Sequence, residues 1–306
     1  MKPLIVISGP TASGKTSFSV ELAKKIKGEI ICADSMQIYQ LMDIGSATPT
    51  VAEKQGITHH LFGLMHPTQQ FSVAQYATIA HQTISEVHER GHIPILVGGT
   101  GLYIDTVVNN ISLSETKEDP LYRHQLYALA ERMGDSYLHQ MLELIDPNEA
   151  KKLPSGDTRR IIRALEIYKT IGKTKTEQNK LSKMTPRIYK SLQFGIHMER
   201  DILYDRINRR VDIMLVDGLL QEVENLLKIG VNSQMTSMQG IGYKELADYL
   251  NHKTPLDKAI DEIKKRTRHY AKRQMTWFRR NEDMIWLFVE EKGKSLEKCI
   301  KCVEKL

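Results

Sequence analysis

Short apolar runs alternate with amphipathic stretches through the first hundred residues. LIVIS (4–8), EIICAD (29–34) and IPILV (93–97) are rich in Ile and Val and lack an in–out alternation, the pattern of strands covered on both faces. Between them, apolar positions recur at helical spacing in a segment opening near Gly14 and again over SVAQYATIAHQTISEVHERG (72–91). The order predicts an α/β fold with a doubly wound, mostly parallel sheet.

After Asn110 the pattern changes. From about Ile111 to Ser191 the apolar residues keep helical spacing (Leu126, Leu129 and Met133, then Ile161, Ile162, Leu165 and Tyr168), with breaks at Asp119-Pro120, Asp146-Pro147, Pro154-Ser155-Gly156 and Thr185-Pro186. An all-helical insertion over 111–191 is therefore expected inside a core made of 1–110 and 192–306. LQFGIHM (192–198) reads as the returning core strand, helices are expected near 200–216, 218–229, 241–251 and 255–280, and MIWLFV (284–289) reads as a last strand.

Composition sets outer bounds. With 306 residues, 41% hydrophobic and 26% charged, the chain can bury a core without staples, and no run approaches the roughly 18 apolar residues of a membrane span. The first apolar run leads straight into a glycine loop, so it is not read as a signal peptide, and three cysteines make no disulfide framework. A cytoplasmic monomer that contacts no membrane is expected. Cys299 and Cys302 have half the spacing of a zinc site, but no second pair follows and the segment reads as a terminal amphipathic helix.

The net charge of +6 is unevenly placed. Between Lys264 and Arg280 stand eight Lys or Arg residues and no acid, and residues 150–195 carry 12 basic against three acidic side chains. Two separated basic zones suggest a polyanion, with nucleic acid the usual one, against the plainer reading of solvated helix faces.

GPTASGKT (9–16) follows the first strand and opens a helix, the context a P-loop requires. Gly9, Pro10, Thr11, Ala12, Ser13 and Gly14 would curl the backbone so that N–H groups face phosphate oxygens, Lys15 would reach terminal oxygens, and the Thr16 hydroxyl would bind Mg²⁺. Such a loop reads a polyphosphate and leaves the rest of the ligand open. A motor or switch NTPase also needs a strand ending in an acid that helps hold the metal, yet IPILV runs into Gly98-Gly99-Thr100-Gly101. The strand that does end in an acid is EIICAD, whose Asp34 opens DSMQIY (34–39). Ligands of doubly wound sheets sit beyond the carboxyl ends of the strands, so the loop, Asp34 and Thr100 should share one crevice. A small-molecule kinase would also fit such a site, since an Asp near a P-loop often activates the acceptor hydroxyl, and these parts alone do not separate the readings.

Several further stretches resemble one family, the tRNA dimethylallyltransferases: GPTASGKT, DSMQIY, MDIGSATP (42–49), HHL (59–61), GGTGLY (98–103), RALEIY (163–168), QGIGYKE (239–245) and AKRQMTWFR (271–279). They run in order over nearly the whole chain. The resemblance implies transfer of a dimethylallyl group from dimethylallyl diphosphate to N6 of adenine 37, beside the tRNA anticodon, with Mg²⁺ required and a helical insertion that closes on the anticodon stem-loop. It implies Asp34 as general base, with Thr100 and Arg200 helping the P-loop hold the diphosphate. For tRNA it implies contacts from Asp34, Ser35, Met36, Gln37 and Thr100 at the flipped base. Arg123 and the segment Arg159, Arg160, Ile161, Ile162, Arg163 would add contacts from the insertion. Gln239, Gly240, Gly242, Tyr243, Lys244, Lys272 and Arg273 would add more from the core.

Overall fold

The computed structural model describes residues 1–112 and 118–306, so the part of the expected insertion at 113–117 lies outside the described residues. The chain runs β1 (Lys2–Ser8), α1 (Lys15–Ile26), β2 (Gly28–Cys32), α2 (Val51–Lys54), β3 (His59–His60), α3 (Val73–Glu89), β4 (Ile93–Gly98) and α4 (Gly101–Val108). Helices α5 (Pro120–Met133), α6 (Asp135–Ile145), α7 (Pro147–Ala150), α8 (Thr158–Ile171) and α9 (Lys175–Lys183) follow. The chain continues through β5 (Tyr189–His197), α10 (Arg200–Val216), α11 (Leu219–Lys228), α12 (Tyr243–Leu250), α13 (Leu256–Phe278), β6 (Ile285–Phe288) and α14 (Lys292–Val303).

The strands form one sheet in the order β3-β2-β4-β1-β5-β6, and every pairing is parallel. The unbroken apolar runs have a direct cause. Leu4 and Val6 join Ile31 and Leu96 in one layer under α3, α4 and α11 to α13, while Ile5 and Ile7 join Ile30, Ile95 and Val97 in the other, against α1 and α14. Both faces are covered, so neither can be polar. Cys299 belongs to the second layer, where burial pushes its thiol up to about 12. β3 escaped the sequence reading because two residues carry no periodicity, and β5 begins at Tyr189, three residues early, by pairing Tyr189 with Lys2.

Two compact units result. One comprises Met1–Val108 with Ile188–Leu306, and the other Asn109–Arg187. The second is built on its own core of Leu126, Leu138, Leu142, Ile161, Ile162 and Leu165. Its helix starts are locally encoded: Asp119 accepts from Tyr122 N–H with Pro120 in the first turn, and Thr174 with Glu177 forms a reciprocal capping box. Among the described residues no helix is long and apolar enough to cross a membrane.

At the amino end of β2, a buried carboxylate ties four elements together. Glu29 is 4% exposed and accepts from Arg90 Nε (3.1 Å) and Nη2 (2.7 Å), His60 Nε2 (2.6 Å) and His92 Nδ1 (2.5 Å). These partners stand in β3, just after α3 and just before β4. Arg90 above all holds the Glu29 carboxyl down to about 2. Because the folded-state value is depressed, this stabilisation is present above the ordinary carboxylate range and is lost as pH falls toward about 2. Glu29→Gln should cost about 1–3 kcal/mol at neutral pH, with the difference from wild type shrinking in acid. Thermal melts from neutral pH down to about 2 check this, and a variant equal to wild type at neutral pH would contradict it.

Candidate active site

The chain leaves β1 at Ser8 and enters α1 at Lys15 through a loop bent by its glycines. Gly14 sits at φ +90° and Gly9 at φ +150°, where an added Cβ would lie 3.1 Å from Ile196 O. Ala12 also takes positive φ and is held there by packing against Met198, Leu203, Ile207 and Ala271. No side chain caps α1, so its first N–H groups stay available to an anion. Lys15 folds back over the loop and donates to Gly9 O (3.0 Å) and Pro10 O (2.7 Å). Burial lowers the Lys15 ammonium to about 8, with Asp34 opposing the shift. Ser13 is buried and its hydroxyl has no partner, an orphan that a phosphate-binding loop can carry.

Asp34 stands just past β2, and Thr100 just past β4. Asp34 Oδ1 accepts from Met36 N–H (2.9 Å), while burial raises its carboxyl above the usual range and the Met36 N–H and Lys15 restrain the shift. Thr100 stitches the two strand ends together: its N–H donates to Ala33 O (3.1 Å), its Oγ1 accepts from Ser35 N–H (3.0 Å), and its hydroxyl lies 3.3 Å from that of Ser35. Lys15, Asp34, Ser35 and Thr100 are thus brought together at the carboxyl edge of the sheet.

The residues after Asp34 are committed to the loop that follows. Gln37 Nε2 donates to Ser46 O (3.1 Å) and Ala47 O (2.9 Å), which fixes MDIGSATP beneath it. Tyr243 is fully buried, where a Cβ on Gly45 would meet its ring at 2.6 Å, and its hydroxyl donates to Glu222 (2.8 Å). Glu222 in turn accepts from the N–H groups of Ile44 (2.8 Å) and Gly45 (3.0 Å). At Tyr243, one of the positions expected to contact tRNA, the ring is buried and supports the MDIGSATP loop. Gly240 backs Met36, whose sulfur would stand 3.0 Å from a Cβ there, and Gly242 turns at φ +102° into α12. Gln239 and Lys244 are exposed.

Helix α13 contributes residues that sequence reasoning quoted only as part of a motif. Gln274 is buried; its Oε1 accepts from Thr11 N–H (2.9 Å) and its Nε2 donates to Gly99 O (2.9 Å). One turn away, Trp277 covers Gly101, where a Cβ would meet the indole at 2.3 Å, and donates to Asp105 Oδ2 (2.9 Å). Tyr270 faces Thr100 and Gln274, and burial pushes its phenol up. From α10, Arg206 Nη2 would lie 3.8 Å from a Cβ on Gly14, and Arg210 stands near enough to Lys15 to oppose its charge. These two arginines were missed, although their spacing of four on one helix was the available signal. Arg200 is exposed at the start of α10, its guanidinium 5.1 Å from the Tyr204 ring.

Much of the basic charge has internal partners. On α13, Lys264 pairs with Asp212 (2.6 Å), Lys265 with Glu262 (3.4 Å), Arg266 with Glu245 (2.8 Å), and Arg268 donates to Asn208 (2.6 Å). Lys272, Arg273, Arg279 and Arg280 are exposed and carry no ion pair among the described residues. Within the helical unit, Arg123 binds the fully buried Glu166 through Nε (2.8 Å) and Nη2 (2.9 Å), and Arg163 bonds the same carboxylate. Arg159 and Arg160 are exposed, whereas Ile161 and Ile162 are 0% and 2% exposed core residues. Within the segment expected to contact tRNA, those two side chains pack in the core of the helical unit. Among the described residues no group of three or more His, Cys, Asp or Glu side chains is placed to hold a metal ion.

Comparison with known proteins finds relatives along nearly the whole chain. A family model described as IPP transferase matches residues 37–281. A tRNA dimethylallyltransferase of Halalkalibacterium halodurans is 48% identical over 283 residues, covering 92% of this chain and 90% of its own length. That of Caldanaerobacter subterraneus is 46% identical over 290 residues, covering 94% and 92%. Among solved structures, the full-length tRNA isopentenylpyrophosphate transferase of Bacillus halodurans matches with a TM-score of 0.75 at 43% identity over 100% of this chain and 97% of that one. A eukaryotic dimethylallyltransferase acting on tRNA matches with a TM-score of 0.80 at 32% identity, over 94% of this chain and 74% of that one. With the family model spanning most of the chain and relatives near half identity along nearly all of it, the chain belongs to the IPP transferase family, that of the tRNA dimethylallyltransferases.

Proposed function

We propose that this protein transfers a dimethylallyl group from dimethylallyl diphosphate to N6 of adenine 37 in tRNA and releases diphosphate, working as a cytoplasmic monomer. The observation that carries the reading is the meeting, past the carboxyl ends of the strands, of an uncapped P-loop helix, the Lys15 ammonium and the Asp34 carboxylate close enough to act on each other's charge. In the reaction an N6–carbon bond forms as the allylic carbon–oxygen bond breaks. The amine is a weak nucleophile, so Asp34 takes its proton, help of a kind worth about 10²–10⁴-fold. Negative charge grows on the leaving oxygens, and the uncapped N–H groups at the start of α1, Lys15, Thr100 and Arg200 face that charge.

The Thr16 hydroxyl would hold Mg²⁺, an ion that keeps several waters and takes few protein oxygens beside substrate phosphates. When bound, it offsets charge on the diphosphate. Ser35 and Met36 line the place for the flipped base, Gln37 supports the wall behind them, and Lys272, Arg273, Arg159 and Arg160 meet tRNA phosphates.

The deciding experiment incubates unmodified tRNA with dimethylallyl diphosphate and Mg²⁺ and weighs nucleoside 37. The expected result is one dimethylallyl group gained; no gain, together with ATP-dependent phosphorylation of a metabolite, would overturn the reading. Asp34→Asn keeps an acceptor for Met36 N–H but cannot take a proton, so kcat should fall roughly 10²–10⁴-fold with tRNA affinity retained. In the wild type, the acid limb of the rate profile should lie above the ordinary aspartate range, since burial raises this carboxyl. A variant turning over at the wild-type rate would remove Asp34 from the base role. Charge removal at Lys272, Arg273 and Arg279 should flatten the salt dependence of tRNA binding by about 0.7–0.9 log units for each phosphate no longer neutralised. Titrations at several salt concentrations check this, and an unchanged slope would leave those cations without a phosphate partner.

A further inference from the structure

Two active-site loops that lie far apart in sequence are joined by one side chain that takes no part in the chemistry described above. Gln274 is 5% exposed, and both ends of its amide are used: Oε1 accepts from Thr11 N–H (2.9 Å) in the phosphate loop, and Nε2 donates to Gly99 O (2.9 Å) beside Thr100. A buried amide satisfied at both ends holds its partners at a fixed separation, because releasing either bond leaves a buried polar group unpaired. The fit extends to the glycines. A Cβ on Gly99 would stand 2.2 Å from Gln274 Nε2, and one on Gly101 would stand 2.3 Å from the Trp277 ring. GGTG is therefore glycine-rich on the side where α13 closes over it, and Trp277 is itself anchored to Asp105 (2.9 Å).

We infer that Gln274 is a positioning residue that sets the distance between the diphosphate loop and Thr100, so that leaving oxygens and the attacking amine are held in register. The inference rests on the transferase reading. Its energetic weight comes from geometry, since a misplacement of about 1 Å at reacting atoms can cost on the order of 10²-fold in rate. Gln274 acts through the loops and touches neither reacting atom, so its removal should appear in kcat and leave tRNA affinity alone.

The test uses Gln274→Ala, Gln274→Glu, Gly99→Ala and the double variant Gly99→Ala/Gln274→Ala, with single-turnover rates, tRNA affinity and thermal midpoints measured on each. Gln274→Ala should lose about 10- to 100-fold in kcat, with tRNA affinity within about twofold and a folded protein. Gln274→Glu keeps the acceptor for Thr11 N–H but when ionised cannot donate to Gly99 O, so its rate relative to wild type should recover as pH falls. Gly99→Ala displaces the amide and should lose rate alone, yet add little once Gln274 is truncated, a non-additivity that marks a shared device. A kcat within about twofold of wild type for Gln274→Ala, additive losses in the double variant, or losses that merely follow the folded fraction would each overturn the inference. If the wild type transfers nothing to tRNA, the transferase reading falls and this role falls with it; an active wild type with unaffected variants removes only the role of Gln274.

Discussion

The carboxyl end of β4 lies against the end of β2 with no side chain between them, and the active edge of the sheet depends on that contact. At Gly98 a single added carbon would stand 2.0 Å from Ala33 O, inside any permitted separation. Backbone therefore meets backbone, and Thr100 can donate to Ala33 O and accept from Ser35 N–H in the same short span. Asp34 leaves β2 already aimed by these bonds, and Met36 N–H orients its carboxylate. The position of Asp34 is thus a property of two strand ends.

How much of this can be read from the chain depends on the range of the interaction involved. Strands β1, β2 and β4 are legible because burial on both faces leaves unbroken apolar runs, and the phosphate loop is legible because its glycines and lysine are contiguous. Asp34 and Thr100 are legible through a topological rule, since both follow parallel strands directly. Gln274 and Glu29 are not. Each acts on residues distant in sequence, and a lone Gln on a basic helix or a lone Glu at a strand start has no local signature for partners 263 or 61 positions away. The same limit applies to Tyr243, whose helical position gives no sign that it serves as a buried post under Gly45.

Counting charge along the chain also overstates what a ligand meets. Glu245, Glu262 and Asp212 neutralise the first cations of the basic helix, so its free positive charge lies toward its carboxyl end. In the helical unit, Glu166 is fully buried and accepts from Arg123 and Arg163 together, which makes two conspicuous arginines part of an internal network. Exposed cations and buried ones look identical in a sequence, and only the position of carboxylates separates them.

Lys15 has a consequence for how the loop meets an anion. Its ammonium rests on the carbonyls of Gly9 and Pro10 in a half-buried site, with its acidity raised to about 8. An anion arriving at the loop would bring negative charge to the same place and favour the protonated form of this side chain.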